Sequence, residues 1–196
     1  LETGKVLDVQ TKLNPQSKHG ADIMARVSYA LENNGTTELS KMVRETVGKM
    51  IELHKKYPLD DLERIILVGN TVMHHLFCGI EPSSLSMYPF ESEDITVKHF
   101  TPEELGWDLP GAAQITFLPS IGSFVGSDIL AGILSTRIHE KENYTALIDL
   151  GTNGEIAVGN KDKIIVASTA AGPAFEGTNI MMGMKATSGA ISEVSM

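Results

Sequence analysis

Leu147-Ile148-Asp149-Leu150-Gly151-Thr152-Asn153-Gly154-Glu155-Ile156 runs apolar, turns, and runs apolar again. The first half reads as a strand that delivers Asp149 to its carboxyl end, where ligands sit in open α/β sheets. Gly151 and Gly154 permit a tight turn whose backbone N–H groups can converge on an anion. The Thr152 hydroxyl and the Asn153 amide add neutral donors. Asp149 repels a phosphate but suits a magnesium ion held through water, because magnesium keeps much of its hydration shell. Asn153-Gly154 is also the strongest short-range hairpin signal and by itself predicts only a type I′ turn. An Asp, two Gly and a Thr packed into one turn favour a phosphate site over an ordinary hairpin.

Downstream, strands are expected over 144–150, 154–159 and 163–168, the last feeding Ala167-Ser168-Thr169-Ala170-Ala171-Gly172-Pro173-Ala174-Phe175-Glu176-Gly177. Small residues let a backbone approach a ligand, and Pro173 suits the first position of a helix, whose N-terminus attracts anions. The same pattern serves a tight strand-to-helix joint. Met181-Met182-Gly183-Met184 reads as apolar filling.

Upstream, Ile129, Leu130, Ile133 and Leu134 share one face of a helix expected over 125–138. Arg64-Ile65-Ile66-Leu67-Val68-Gly69 is a short continuous apolar run, which predicts a strand buried on both faces of a parallel sheet. Asn70 and Thr71 would then stand at its carboxyl end, facing the same crevice as the hairpin, with a helix from Met73 to Phe77. His74 and His75 are helix neighbours that point different ways, so they read as core or surface histidines rather than metal ligands. Ile115-Thr116-Phe117-Leu118 is a further strand. Helices are expected from about Ala21 to Leu31 and after Thr37, the second with Leu39, Met42, Val43, Val47, Met50 and Ile51 at helical spacing and ended by Tyr57-Pro58. Lys5–Gln10 alternates like a strand. Residues 79–112 read as an irregular excursion. The order suggests two α/β lobes: 1–124 as a partial first lobe with the 79–112 insertion, 125–142 as a connecting helix, and 143–196 as the start of a second lobe.

Sixteen Lys and Arg against 25 Asp and Glu give a formal charge of -9, which disfavours nucleic acid as a partner but not a nucleotide held by local dipoles or a metal ion. The single cysteine, Cys78, excludes an internal disulfide and an all-cysteine iron–sulfur site within this chain. No stretch approaches the roughly 20 apolar residues of a membrane span, and the opening residues are not a signal peptide, so a cytoplasmic protein without a membrane partner is expected. Both ends read as cut from a longer protein.

The hairpin with Ala167–Gly177 close behind it resembles the reductive activators of corrinoid-dependent methyltransferases and corrinoid iron–sulfur proteins. So do Asn14-Pro15-Gln16 with Gly20-Ala21-Asp22 and Arg26, Val68-Gly69-Asn70-Thr71 with Met73-His74, and Val125-Gly126-Ser127-Asp128. The matches run from about residue 13 to the end. The resemblance implies an ATPase of the superfamily shared by acetate and sugar kinases, Hsp70 and actin. Such proteins bind Mg-ATP between two ribonuclease-H-like lobes, each a mixed sheet with flanking helices. ATP hydrolysis would drive an electron uphill to return a Co(II) corrinoid protein to Co(I), the electron coming from an iron–sulfur domain outside these residues. Carried over by position, Asp149 would be the catalytic and metal-holding carboxylate. Gly151, Thr152, Asn153, Gly154 and Glu155 would form the second phosphate loop, Gly172, Pro173 and Gly177 would lie near the nucleotide, and Asn70 and Thr71 would face it. The first phosphate loop of that superfamily would precede Lys5–Gln10 and the adenosine segment would follow residue 196, so the chain alone is expected to hold half a site and to be inactive.

Two other functions fit the same residues. A small-molecule kinase of the superfamily, acting on a sugar or carboxylate, would need a base opposite the γ-phosphate, and Asp128 is the candidate. A non-catalytic docking module for a corrinoid protein would use Tyr88, Pro89, Phe90 and Trp107 in the 79–112 excursion, although a well-packed insertion explains those residues too.

Overall fold

The computed structural model describes residues 4–20, 22–52, 58–59, 62–109, 113–151 and 153–170. These residues form a mixed α/β structure with two three-stranded sheets. Asn14 begins it as the cap of a short 3-10 turn, Pro15–Lys18, and Gln16 within that turn is fully buried, its Nε2 donating to Leu39 O at 2.9 Å. Two helices follow, α1 (Ile23–Glu32) and α2 (Thr36–Glu52). Asp22 caps α1 by accepting from Ala25 N at 2.8 Å, which satisfies one of the orphan donors of its first turn.

Strand β1 (Arg64–Leu67) leads through Gly69 into α3 (Thr71–Cys78). Asn70 caps this helix by accepting from Met73 N at 2.9 Å, and Gly79, at φ 72°, ends it in the left-handed region that glycine adopts at little cost. Next come β2 (Lys98–Phe100), α4 (Pro102–Leu105) and β3 (Gln114–Phe117). β1 and β3 pair in parallel, Arg64 opposite Gln114, and β2 lies antiparallel on the far side of β3. α5 (Ser127–Thr136) then carries the chain to the antiparallel meander β4 (Thr145–Leu150), β5 (Asn153–Gly159) and β6 (Ile164–Ala170).

Three apolar clusters hold these elements. Val27, Ala30, Leu39, Val72 and Leu76 join α1, α2 and α3. Val43, Phe77, Leu105, Trp107, Ile115 and Phe117 seat α2 and α3 on the first sheet. Ile129 and Ile133 of α5 pack with Ala157, Leu147 and Val166 of the second sheet. The helical spacing of Leu39, Val43 and Val47 thus produces the face that α2 buries. His74 and His75 belong to this interior and are both fully buried. His75 donates from Nδ1 to Thr71 O at 2.9 Å, which leaves Nε2 to accept from Ser92 Oγ at 3.1 Å. His74 donates from Nε2 to Thr96 O at 3.0 Å and packs edge-on against Phe117.

Four expectations need correction. Lys5–Gln10 is not a strand: among the described residues it joins neither sheet, and Val6 and Val9 stand exposed, because alternation alone does not supply a pairing strand. β1 is buried on one face only: Ile65 and Leu67 face the core, whereas Ile66 is 49% exposed, since the described helices cover one side of this sheet. The 79–112 excursion carries β2 and α4. Within it Trp107 is buried, donating from Nε1 to Arg44 O at 2.8 Å and filling the space beside Gly48, so it is no contact surface. Tyr88 does stand exposed. Among the described residues no helix is long and apolar enough to cross a membrane.

Candidate functional site

The pleat of β4 decides where Asp149 points. Side chains alternate between faces, so Asp149 shares the α5 side with Leu147, which seats against Gly132 of that helix. Register extends the pattern across the sheet. Leu147, Ala157 and Val166 form one apolar row, and Asp149, Glu155 and Ser168 form the next row toward the strand end. Core therefore gives way to a polar rim within one step of the pleat. Ser168 Oγ donates to Glu155 Oε1 at 3.2 Å.

The turn itself is centred one step earlier than Asn153-Gly154 suggests. Asn153 and Gly154 are already strand residues, paired with Ala170 and Thr169, and Gly151 N donates to Asn153 O at 2.9 Å to close the hairpin. Thr152 lies outside the described residues, as do Gly172, Pro173, Gly177 and Met181–Met184.

Across from the hairpin stands the β1–α3 turn. A cavity of about 400 Å³ is lined by Asn70 and Thr71 from that turn together with Asn153, Ser168 and Thr169 of the second sheet. Asp22, Ser123 and the rings of Phe90 and Phe124 complete its wall. Of the hairpin residues, Asn153 shares this cavity with Asn70 and Thr71. Asn70 spends its Oδ1 on the helix cap, and Thr71 spends its hydroxyl on Gly122 O at 2.8 Å. What they offer the cavity is the remaining amide donor of Asn70 and apolar or backbone surface.

Asp128 lies in the first turn of α5, close enough to Asp149 for their charges to interact. Burial raises its pKa above the ordinary carboxylate value, and the negative charge of Asp149 raises it further. Glu155 shifts the same way, through burial first and then through Asp128 and Asp149. Three carboxylates thus lie within electrostatic reach of one another. Asp149 and Glu155 sit directly opposite across the ladder, an arrangement of like charges that weakens a sheet. A divalent cation would relieve that repulsion, so the residues fit one. They do not fit a fully ligated ion, since among the described residues no three acidic, imidazole or thiol groups converge closely enough to hold a metal. Magnesium, which binds through one or two carboxylates and retains its waters, matches this arrangement.

Residues 1–141 match the family described as the RACo middle region, and residues 143–196 match the C-terminal domain of RACo, the ASKHA domain. The chain belongs to this family. It is 39% identical over 207 residues to the corrinoid activation enzyme RamQ of Eubacterium limosum, covering 99% of this chain and 33% of that protein. It is 30% identical over 184 residues to the [Co(II) methylated amine-specific corrinoid protein] reductase of Methanosarcina barkeri, covering 89% of this chain and 34% of that one. Among solved structures, a reductive activator for corrinoid, iron–sulfur protein superposes with a TM-score of 0.80 at 33% identity, covering 100% of this chain and 32% of the other. The chain therefore spans about a third of the length of the relatives it matches. The actin-like α/β class implied by the family resemblance agrees with the ASKHA match and with this superposition.

Several wall residues escaped the sequence reading. Met24, Ser123 and Phe124 reach the cavity from two separate segments, and nothing in their local patterns signals that meeting; Phe90, expected as a docking contact, lines the same cavity. Gly126 and Ser127 stood out only through the family resemblance. In the structure Ser127 is fully buried and bonded to Gly69.

Proposed function

We propose that this chain supplies one wall and the second phosphate loop of an ATP-dependent reductive activator, which returns the Co(II) state of a corrinoid protein to Co(I). The observation that carries the proposal is the shared cavity: Asn70 and Thr71 on one side and Asn153 on the other face the same space. Mg-ATP, when bound, would supply the free energy that makes the low-potential electron transfer possible.

On this reading the chain's own groups have distinct tasks. Thr152 and Asn153 would offer side-chain donors to phosphate oxygens, with Gly151 and Gly154 shaping the turn that presents them. Asp149 holds magnesium through its waters, and Glu155, braced by Ser168, shapes the field around it. Asp128, in the first turn of α5, would orient an attacking water. Gly172, Pro173 and Gly177 would lie along the nucleotide. The electron would arrive from an iron–sulfur group held elsewhere, because Cys78 is the only cysteine and burial pushes its thiol up to about 12. A cytoplasmic setting, with ATP and a corrinoid protein as partners, follows from the same reading.

The test uses the full-length protein with a chemical reductant, Mg-ATP and a Co(II) corrinoid protein, followed by the optical spectrum of the corrin. Co(I) should accumulate only when ATP is present and is being hydrolysed. ATP-independent reduction would overturn the proposal. Phosphate transfer to a sugar or carboxylate without any change at cobalt would favour the kinase reading instead.

A further inference from the structure

The junction between β1 and α5 is bonded more densely than a loop crossing needs. Gly69 N donates to Ser127 Oγ at 3.1 Å, Ser127 Oγ donates back to Gly69 O at 3.2 Å, and Ser127 N donates to the same carbonyl at 2.9 Å. Gly126 lies so close that a Cβ there would collide with Gly69 O and the Asn70 backbone. The loop before it is pinned as well: Thr71 Oγ1 donates to Gly122 O at 2.8 Å, and Ser92 N donates to Ser123 Oγ at 3.0 Å. Ser92 is itself held by His75. Gly69, Thr71 and, through Ser92, His75 thus hold residues 122–127 from the β1–α3 side, while Ile129 and Ile133 of α5 pack into the second sheet.

We propose that Ser127 is a positioning residue, whose grip on Gly69 fixes where α5 presents Asp128 relative to the carboxylates of Asp149 and Glu155. The chemistry it serves rests on the function proposed above, but the geometry does not. A serine hydroxyl that both accepts from and donates to one residue holds direction as well as distance, because each of its two bonds constrains the other. Asp128 is the next residue along, so a small rotation at the N-terminus of α5 moves its carboxylate relative to Asp149. Reactions that depend on alignment lose turnover from such displacements while ground-state binding persists.

Ser127→Ala removes one buried oxygen and should leave the protein folded. In the full-length protein, kcat for ATP hydrolysis should fall about tenfold while KM for ATP stays within about twofold, the split expected when alignment rather than binding is lost. Thr101→Ala is the control: it removes the capping box of α4, away from the site, and should lower stability while leaving kcat unchanged. A second readout needs no activity. Amide hydrogen exchange in the Asp149–Gly154 hairpin should speed up in Ser127→Ala and not in Thr101→Ala. An unchanged kcat in a folded Ser127→Ala, a rise in KM matching the loss in kcat, or equal effects from the control would overturn the inference. A wild type that hydrolyses no ATP would overturn the proposed function, and hydrogen exchange alone would then decide: an undisturbed hairpin overturns the role of Ser127, and an accelerated one upholds it.

Discussion

Two turns face each other across the cavity, and they spend their polar groups in opposite ways. At the β1–α3 turn nearly everything is committed within the protein. Asn70 Oδ1 caps a helix, the Thr71 hydroxyl and both polar groups of the Gly69 backbone are bonded to the α5 approach, and Thr71 O accepts from His75. At the β4–β5 turn Asp149 is exposed, the opposed carboxylate of Glu155 repels it, and Asn153 opens onto the cavity. The first turn is a strut. The second sets two carboxylates opposite one another, the arrangement that the proposed cation would relieve. Substitutions on the strut should therefore act through stability or, at Ser127, through alignment, and substitutions on the hairpin should remove charge that acts on the ligand directly.

The largest expected effect is on the hairpin side. In the full-length protein Asp149→Ala should lower ATP-dependent corrinoid reduction by two to three orders of magnitude, about 3–4 kcal/mol of transition-state stabilisation, as for the loss of other preorganised charge-stabilising groups. Because Asp149 is exposed and faces a like charge, its removal should leave the melting temperature unchanged or slightly higher. Near-normal turnover by the folded variant would break the comparison, since the hairpin would then be as structural as the strut.

The strut should show itself in acid. Burial lowers the pKa of both His74 and His75, with hydrogen bonds to Thr96 O and Thr71 O opposing the effect only in part. The folded chain therefore binds these protons less readily than the unfolded chain. Their contribution is complete above the unfolded value of about 6.5 and is lost as pH falls from there through the lowered folded values. The urea midpoint should fall over that range, and ring-proton NMR should show both imidazoles taking up their protons at lower pH than a free histidine. Imidazoles that titrate at the unperturbed pKa, with a flat urea midpoint between pH 7 and 5, would mean that this turn bears no such strain.

How much of this contrast was legible in the sequence depended on how local its cause was. The hairpin was legible because apolar runs of fixed period bracket a few turn residues, and pairing across β4, β5 and β6 follows from that pattern alone. The helical face of α2 was legible for the same reason. The strut was not, since Ser127 and Gly69 are 58 residues apart and neither carries a local signature of the other. The one-sided burial of β1 was hidden too, because an apolar run looks the same whether one face or both are covered. α4, by contrast, has a local signature inside the segment expected to be irregular. Thr101-Pro102-Glu103-Glu104 is a capping box with proline at the first helical position, and Gly106, at φ 68°, closes the helix.

The smallest effect tests the hairpin's stored repulsion directly. Glu155 stands opposite Asp149 and still accepts from Ser168 Oγ at 3.2 Å, a bond that an amide oxygen can keep. Its pKa is raised by burial and by the charges of Asp128 and Asp149, so the folded state favours the neutral form. Glu155→Gln should therefore stabilise the protein at pH 7, by less than about 1 kcal/mol because solvent screens a largely accessible pair. Sign and pH dependence distinguish this cause from a packing change. In the folded state the wild-type carboxyl takes up its proton at a higher pH than in the unfolded chain, so the penalty it carries disappears as pH falls. Urea melts of the two proteins should differ at pH 7 and converge near pH 4. Adding magnesium at pH 7 should narrow the gap as well, because the cation stabilises the wild type by offsetting the charge that the variant lacks. A variant that is less stable at pH 7, or a gap of the same size at both pH values, would show that Asp149 and Glu155 do not repel one another across this turn.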